Sequence, residues 1–134
     1  MKIIRFLATP EGGSQFEEID IPITNERQDA EGNTLLLSNT YTSPGVCFVD
    51  LPEGLDQDWH QAPTRQIVVV LSGKLEVTTT DNQVREWSTG EAFIASDTAG
   101  QGHKTRTIDG PARVMFAPLP DSFFMENWSE SEGG

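Results

Sequence analysis

The sequence predicts an all-β protein that folds as one antiparallel domain of 134 residues. Short apolar runs, many of them alternating with polar residues, recur along the chain, and this alternation is typical of half-buried strands. Gly, Pro, Asn and Asp separate the runs at short intervals, as in an antiparallel sandwich or barrel. The length suits a single domain that is large enough to bury its own core. We find no internal repeat, linker or second domain.

The first half of the chain contains four predicted strands. Residues 2–7 form a strand that ends at a Thr-Pro pair, and residues 19–24 alternate Ile with polar residues. Pro22 predicts that the second of these strands lies at a sheet edge, because proline has no N–H to donate to the hydrogen bonds between strands. Residues 25–33 are polar and rich in turn formers, which predicts a surface loop. Residues 34–38 and 46–51 follow as strands on either side of a Ser-Pro-Gly turn.

The second half is more regular. Residues 67–71 are apolar on both faces, which predicts a strand that is covered on both sides. Alternation predicts a strand with one wet face at residues 75–80, and further strands are expected at residues 84–87, 92–95, 103–107 and 112–117. Asp121 could cap a short helical turn that brings Phe124 and Trp128 to one side; the alternative is an extended tail laid over the domain. We expect residues 129–134 to be disordered.

Composition excludes several classes of partner. The net charge of −12 and the pI near 4.3 make nucleic acid and anionic membrane surfaces poor partners. The longest apolar stretch is five residues, far short of a membrane span, and the N-terminus lacks the long apolar region of a secretory signal. The single cysteine, Cys47, fits a reducing cytoplasm, and we expect it to be a small buried residue of its strand.

Two segments carry a resemblance to a known family. Residues 54–73 place Gly54, His60, Gln66 and Gly73 on the spacing of the first cupin motif, although Ala62 stands where the motif has a second His and Gln66 where it has a Glu. Residues 90–107 resemble the second motif through Gly90, Gly100 and His103, with Thr98 in place of Pro and Thr107 in place of Asn. The segment from Gly90 to Gly100 is two residues longer than in the family pattern.

The resemblance implies a small cupin: a jelly-roll β-barrel over residues 1–120, with residues 54–107 as the motif core and residues 121–134 as a C-terminal tail. It implies a pocket inside the barrel that binds a small-molecule ligand. It also implies a divalent metal, such as Fe, Mn, Zn or Ni, at the motif positions His60, Gln66 and His103. If the protein is an enzyme, the resemblance suggests a metal-dependent oxygenase, isomerase or lyase that acts on a small organic metabolite.

The residues themselves support a site but leave its chemistry open. The chain has only two histidines, and both occupy motif positions. Residue parity places His60, Gln66, Val68 and Val70 on the barrel-facing side, where Ala62 offers only a methyl group. Asp97 could add a carboxylate ligand or support its own loop as an Asx turn. Two hydrogen-bonded histidines in a metal-free pocket are the alternative to a metal site.

The same parity directs the remaining residues of the central strand outward. Ile67, Val69 and Leu71 would form an apolar stripe, which monomeric proteins rarely leave exposed. We therefore expect a homodimer that buries this stripe. Cover from the chain itself, by residues 2–7 or by Phe123, Phe124 and Trp128, is the alternative.

Overall fold

The computed structural model describes residues 1–126 and 128. Its strands are β1 Lys2–Ala8, β2 Ser14–Asp20, β3 Asn25–Gln28, β4 Thr34–Leu37, β5 Cys47–Leu51, β6 Gln66–Ser72, β7 Lys74–Thr78, β8 Val84–Ser88, β9 Ala92–Ser96, β10 Lys104–Thr107 and β11 Ala112–Pro118. One short helix, α1 Asp121–Phe124, follows them. The predicted all-β fold class is confirmed.

Two sheets face each other across the core. The larger has six strands in the order β2-β1-β9-β6-β11-β5, and the smaller has three in the order β10-β7-β8. Residues 55–60 extend the smaller sheet beside β10, through the antiparallel bridges Asp56–Arg106 and His60–His103. Within the described residues, strand pairing does not join the two sheets into one closed barrel. The expected jelly-roll barrel is therefore present as two facing sheets, with no closed ladder of strands among the described residues.

The central strand β6 follows the predicted parity. Gln66, Val68 and Val70 are buried and face the space between the sheets, where Val68 and Val70 join the main core with Phe6, Trp87 and Val114. These residues share one face because successive side chains of a β-strand point to opposite sides of the sheet. The prediction for the inward face is confirmed.

The outward side of β6 is covered in part by the chain itself. Ile67 packs against a second apolar cluster that contains Ile94 and Phe123, whereas Leu71, near the other end of the strand, is 39% exposed. The cover therefore comes from the chain itself, through a cluster that contains both Ile3 of β1 and Phe123 of α1, and it lies over one end of the stripe. Arg65 pairs with Asp121 at the start of α1, and its guanidinium lies 4.4 Å from the centre of the Phe124 ring.

Two predictions in the first half of the chain are wrong. The second strand spans Ser14–Asp20 and ends before Pro22, because its pairing with β1 runs from Ser14 to Asp20. It is an edge strand, as expected. Residues 25–33 are not a loop throughout: Asn25–Gln28 forms β3 and pairs with β4 in an antiparallel hairpin. The Asp29 carboxylate accepts hydrogen bonds from Asn33 and closes the turn. Local polar hydrogen bonds therefore hold this hairpin, and its sequence lacks the apolar alternation that usually indicates a strand.

Two further corrections concern single residues. Cys47 is exposed rather than buried, because it lies on the edge strand β5 with its side chain toward solvent. The helical turn at the C-terminus is confirmed, but its N-cap is Pro120 and Asp121 is already helical. The expected disorder of residues 129–134 lies outside the described residues. None of the helical segments described here is long and apolar enough to span a membrane.

Candidate functional site

A cavity of about 360 Å³ lies between the two sheets. Its walls consist of nine apolar residues and five polar ones, with no Arg, Lys, Asp or Glu among them: Val49, Leu51, Ala62, Pro63, Val68, Leu75, Phe93, Ala95 and Phe116, with Gln57, His60, Gln66, His103 and Thr105. A depression of similar volume, about 400 Å³, lies over the Asp50–Arg113 ion pair. Most of its lining residues are exposed, and its two charged groups are paired with each other, so the cavity between the sheets is the better candidate.

The two histidines are brought together by a pair of backbone hydrogen bonds. The His60 N–H donates to the His103 carbonyl at 3.0 Å, and the His103 N–H donates to the His60 carbonyl at 2.9 Å. The imidazole rings lie 4.5 Å apart, centre to centre. His60 and His103 therefore approach each other at the cavity, as the sequence predicts.

Gly102 makes this approach possible. Its backbone has φ +81°, and a Cβ atom at this position would lie 1.9 Å from the His60 carbonyl oxygen. A side chain there would push apart the two segments that carry the histidines. The glycine thus has a specific role in building the site.

The side chain of His103 is held by a buried carboxylate. Its Nδ1 lies 2.5 Å from Oδ2 of Asp97, and both residues are buried, with Asp97 fully so. A carboxylate only accepts hydrogen bonds, so Nδ1 of His103 is the donor, and in the neutral imidazole Nε2 then carries the lone pair. Asp97 is therefore neither the Asx-turn residue nor the additional metal ligand considered from the sequence. It fixes the orientation and tautomer of His103.

His60 is fixed in the same tautomer by a different partner. Its Nδ1 lies 2.8 Å from the backbone carbonyl oxygen of Asp58, which also can only accept. Both rings line the cavity, and no group within residues 1–126 and 128 hydrogen-bonds to either Nε2 atom. The site therefore presents two imidazole lone pairs.

The glycine-rich loop before His103 is held by residues far away in sequence. The N–H of Gln101 donates to the Gly12 carbonyl at 2.8 Å, and Oγ of Ser14 donates to the Gly102 carbonyl at 2.6 Å. The Phe6 ring lies 4.7 Å from the His103 ring. Sequence reasoning missed Phe6 and Ser14, because nothing in the N-terminal segment signals contact with a loop some 90 residues later.

The remaining predicted site positions fall around the cavity. Gln66 is 6% exposed and lines the wall, and its side-chain amide forms no hydrogen bond within the described part of the chain. Ala62 also lines the wall and leaves the position of a third imidazole empty. Trp87 packs in the core, whereas Trp59 is half-buried under the ammonium group of Lys104 at 5.1 Å.

This donor set is incomplete for a resident metal ion. No group of three His, Cys, Asp or Glu side chains in the described residues is arranged to hold one. His60, Gln66 and His103 would supply two imidazoles and a neutral amide oxygen, which lacks the carboxylate of a two-His-one-carboxylate iron site. The carboxylate closest to the histidines, Asp97, is engaged with His103. The residues present do not fit a tightly held divalent metal.

Comparison with known proteins gives matches only among solved structures. No protein-family model matches the chain, and no curated protein matches it. A cupin-2 domain protein from Shewanella frigidimarina is 19% identical, with a TM-score of 0.45 over 60% of this chain and 80% of that one. The EutQ protein of Clostridium difficile is 14% identical, with a TM-score of 0.45 over 75% of this chain and 98% of that one. A DUF861 family protein from Thermotoga maritima is 21% identical, with a TM-score of 0.41 over 54% of this chain and 74% of that one.

The assignment of the fold comes from the molecule itself. Two facing sheets, antiparallel except for the parallel pair β1 and β9, enclose a cavity, and the two motif segments meet there through the pairing of His60 with His103. The known activities of the structures named above are not transferred by similarity of this degree. The molecule has an all-β fold of two facing sheets with a cavity between them.

Proposed function

We propose that this protein binds a small organic molecule in the cavity between its sheets. The observation that carries this proposal is the combination of an apolar wall with polar groups that lack a protein partner: Nε2 of His60, Nε2 of His103 and the amide of Gln66. Ligand pockets have this composition, with a few convergent polar groups in a mainly apolar cavity of about 300–1,000 Å³.

The anchoring of the site supports binding. The Asp97 carboxylate holds one imidazole and the Asp58 carbonyl the other, so neither ring has to be reoriented when a ligand arrives. Polar groups that are oriented in advance reduce the entropy lost on binding.

A thermal-shift screen of small metabolites, with protein dialysed against EDTA, tests the proposal. Binding to the native state raises the melting temperature, and a hit must be lost in Ala62→Leu, which fills part of the cavity. Ala30→Leu is the matched control, because the same substitution is made at an exposed position of the β3–β4 turn. Hits that survive Ala62→Leu, or a broad metabolite library without any hit, would contradict binding in this cavity.

The second candidate is a metal-dependent enzyme. One observation favours it: metal-ligating histidines commonly donate their other ring N–H to a carboxylate or carbonyl, as His60 and His103 do here. The incomplete donor set weighs against it. Elemental analysis of protein purified without a histidine tag separates the two candidates. One equivalent of a divalent metal, lost in His103→Phe but kept in Tyr41→Phe, would favour the enzyme.

The homodimer remains part of the proposal, with a smaller interface than the sequence suggests. Ile67 is covered by the chain's own second apolar cluster, which leaves Leu71 as the exposed end of the stripe on β6. A partner subunit would therefore cover the Leu71 end of this strand.

A further inference from the structure

We infer that the ligand is an uncharged molecule that carries two neighbouring O–H or N–H donors on an apolar body. This inference rests on the proposed function and goes further by naming the chemical class of the ligand. Its basis is the hydrogen-bonding state of the two imidazoles and the absence of charge on the residues that line the cavity.

Charge selects against organic anions. None of the lining side chains is an Arg, a Lys or an acid, so a carboxylate or phosphate would lose its hydration without gaining a cationic partner. The fully buried carboxylate of Asp97, behind His103, adds to this penalty for an anion. An uncharged ligand avoids both costs.

Hydrogen bonding selects for donors. A neutral imidazole has one N–H, and Nδ1 of each ring uses it to donate to a protein oxygen, so each Nε2 of the neutral rings accepts. The two rings lie 4.5 Å apart, so two donors on adjacent atoms of one molecule can reach both lone pairs. The neutral amide of Gln66, which can donate and accept, provides a third polar contact on the opposite sheet.

Volume limits the size of the molecule. The cavity of about 360 Å³ lies at the small end of the range for ligand pockets, about 300–1,000 Å³. The walls beyond the histidines are aliphatic and aromatic, as with Val68, Leu75 and Phe93, and they favour an apolar body. A small ring that bears two adjacent hydroxyl groups meets all of these conditions.

Three probes that share one ring test the inference. The probes are cis-1,2-cyclohexanediol, cyclohexanol and cyclohexanecarboxylate, and their dissociation constants are measured by protein NMR titration in the presence of EDTA. A net neutral hydrogen bond corresponds to about 2- to 12-fold in affinity, so the diol should bind that much more tightly than cyclohexanol. The carboxylate should bind more weakly than either.

His60→Phe removes one acceptor and keeps a ring, so it should bring the ratio of diol to cyclohexanol affinity close to one. Tyr41→Phe removes a polar atom from a ring outside the cavity, and it should leave the ratio unchanged. Equal or tighter binding of the carboxylate, or a diol preference that survives His60→Phe, would overturn the inference while leaving binding in the cavity intact. Failure of all three probes to bind would also overturn the inference. If the broader metabolite screen then gave ligands of another chemical class, the proposed binding function would stand although the inferred ligand class is wrong.

Discussion

Replacing Gly102 with alanine should destabilise the protein and separate the two histidines. The new Cβ would lie 1.9 Å from the carbonyl oxygen of His60 and 2.3 Å from its carbonyl carbon, and both are backbone atoms that cannot rotate away. The residue also has φ +81°, where alanine costs about 1–2 kcal/mol. Overpacking of a filled site adds about 1–3 kcal/mol. We expect a loss of about 2–5 kcal/mol in the free energy of unfolding, a large share of the 5–15 kcal/mol typical of a domain.

The matched control is Gly90→Ala. Gly90 has φ +89°, but a Cβ at this position would meet no atom within 4 Å, so only the backbone term of about 1–2 kcal/mol applies. Urea unfolding, followed by tryptophan fluorescence, gives both values, and Trp87 in the core provides the signal. Equal destabilisation by the two substitutions would refute the argument that the close approach of Gly102 to His60 builds the site.

Three further predictions follow from other parts of the structure. Asp97→Asn should weaken the binding of any ligand that donates to His103 by about 2- to 12-fold. The reason is that an amide can donate to Nδ1 and thereby shift the ring proton to Nε2, which can then no longer accept. Unchanged affinity in the same NMR titration would contradict this. The hydrogen bond from Arg106 lowers the pKa of Glu76 from its ordinary value of 4.5, so the stabilisation that Glu76 provides is complete above about pH 4.5 and is lost as the pH falls through the lowered pKa. Glu76→Gln should therefore reduce the unfolding free energy at pH 7 and have no effect at strongly acidic pH, and a penalty independent of pH in urea titrations would be inconsistent with this account. Light scattering at micromolar concentration should report a dimer that Leu71→Asp dissociates, and a monomeric wild type would end the proposal of a homodimer.

The sequence predicts those parts of the fold in which burial imposes a period on the residues. The inward face of β6 is the clearest example, because Gln66, Val68 and Val70 must alternate with outward residues if one side faces a core. The motif spacing predicts that His60 and His103 meet. Their close approach also requires Gly102, a residue of the glycine-rich loop that has no side chain. Both predictions depend on local spacing.

The parts that the sequence did not predict depend on polar contacts or on distant pairing. β3 consists of four exposed residues and has no apolar face, so the pattern of a strand is absent although the hairpin forms. The link between Asp97 and His103 is short in sequence, yet a buried acid–imidazole contact and an exposed Asx turn look alike in a glycine-rich loop. Ser14 reaches Gly102 only because β1 and β2 pack beside β9, which no local pattern encodes.

The central claim is that two imidazole lone pairs face a cavity that receives a small molecule. Long-range ¹H–¹⁵N correlation spectra of the histidine side chains test it directly, because the protein contains only two histidines. At about pH 8, where imidazole is ordinarily neutral, both should show a protonated Nδ1 and an unprotonated Nε2. Saturable movement of both Nε2 signals on addition of cis-1,2-cyclohexanediol is the predicted result. A proton on Nε2 of either ring in the free protein, or Nε2 signals that no ligand of the cavity moves, would contradict the claim.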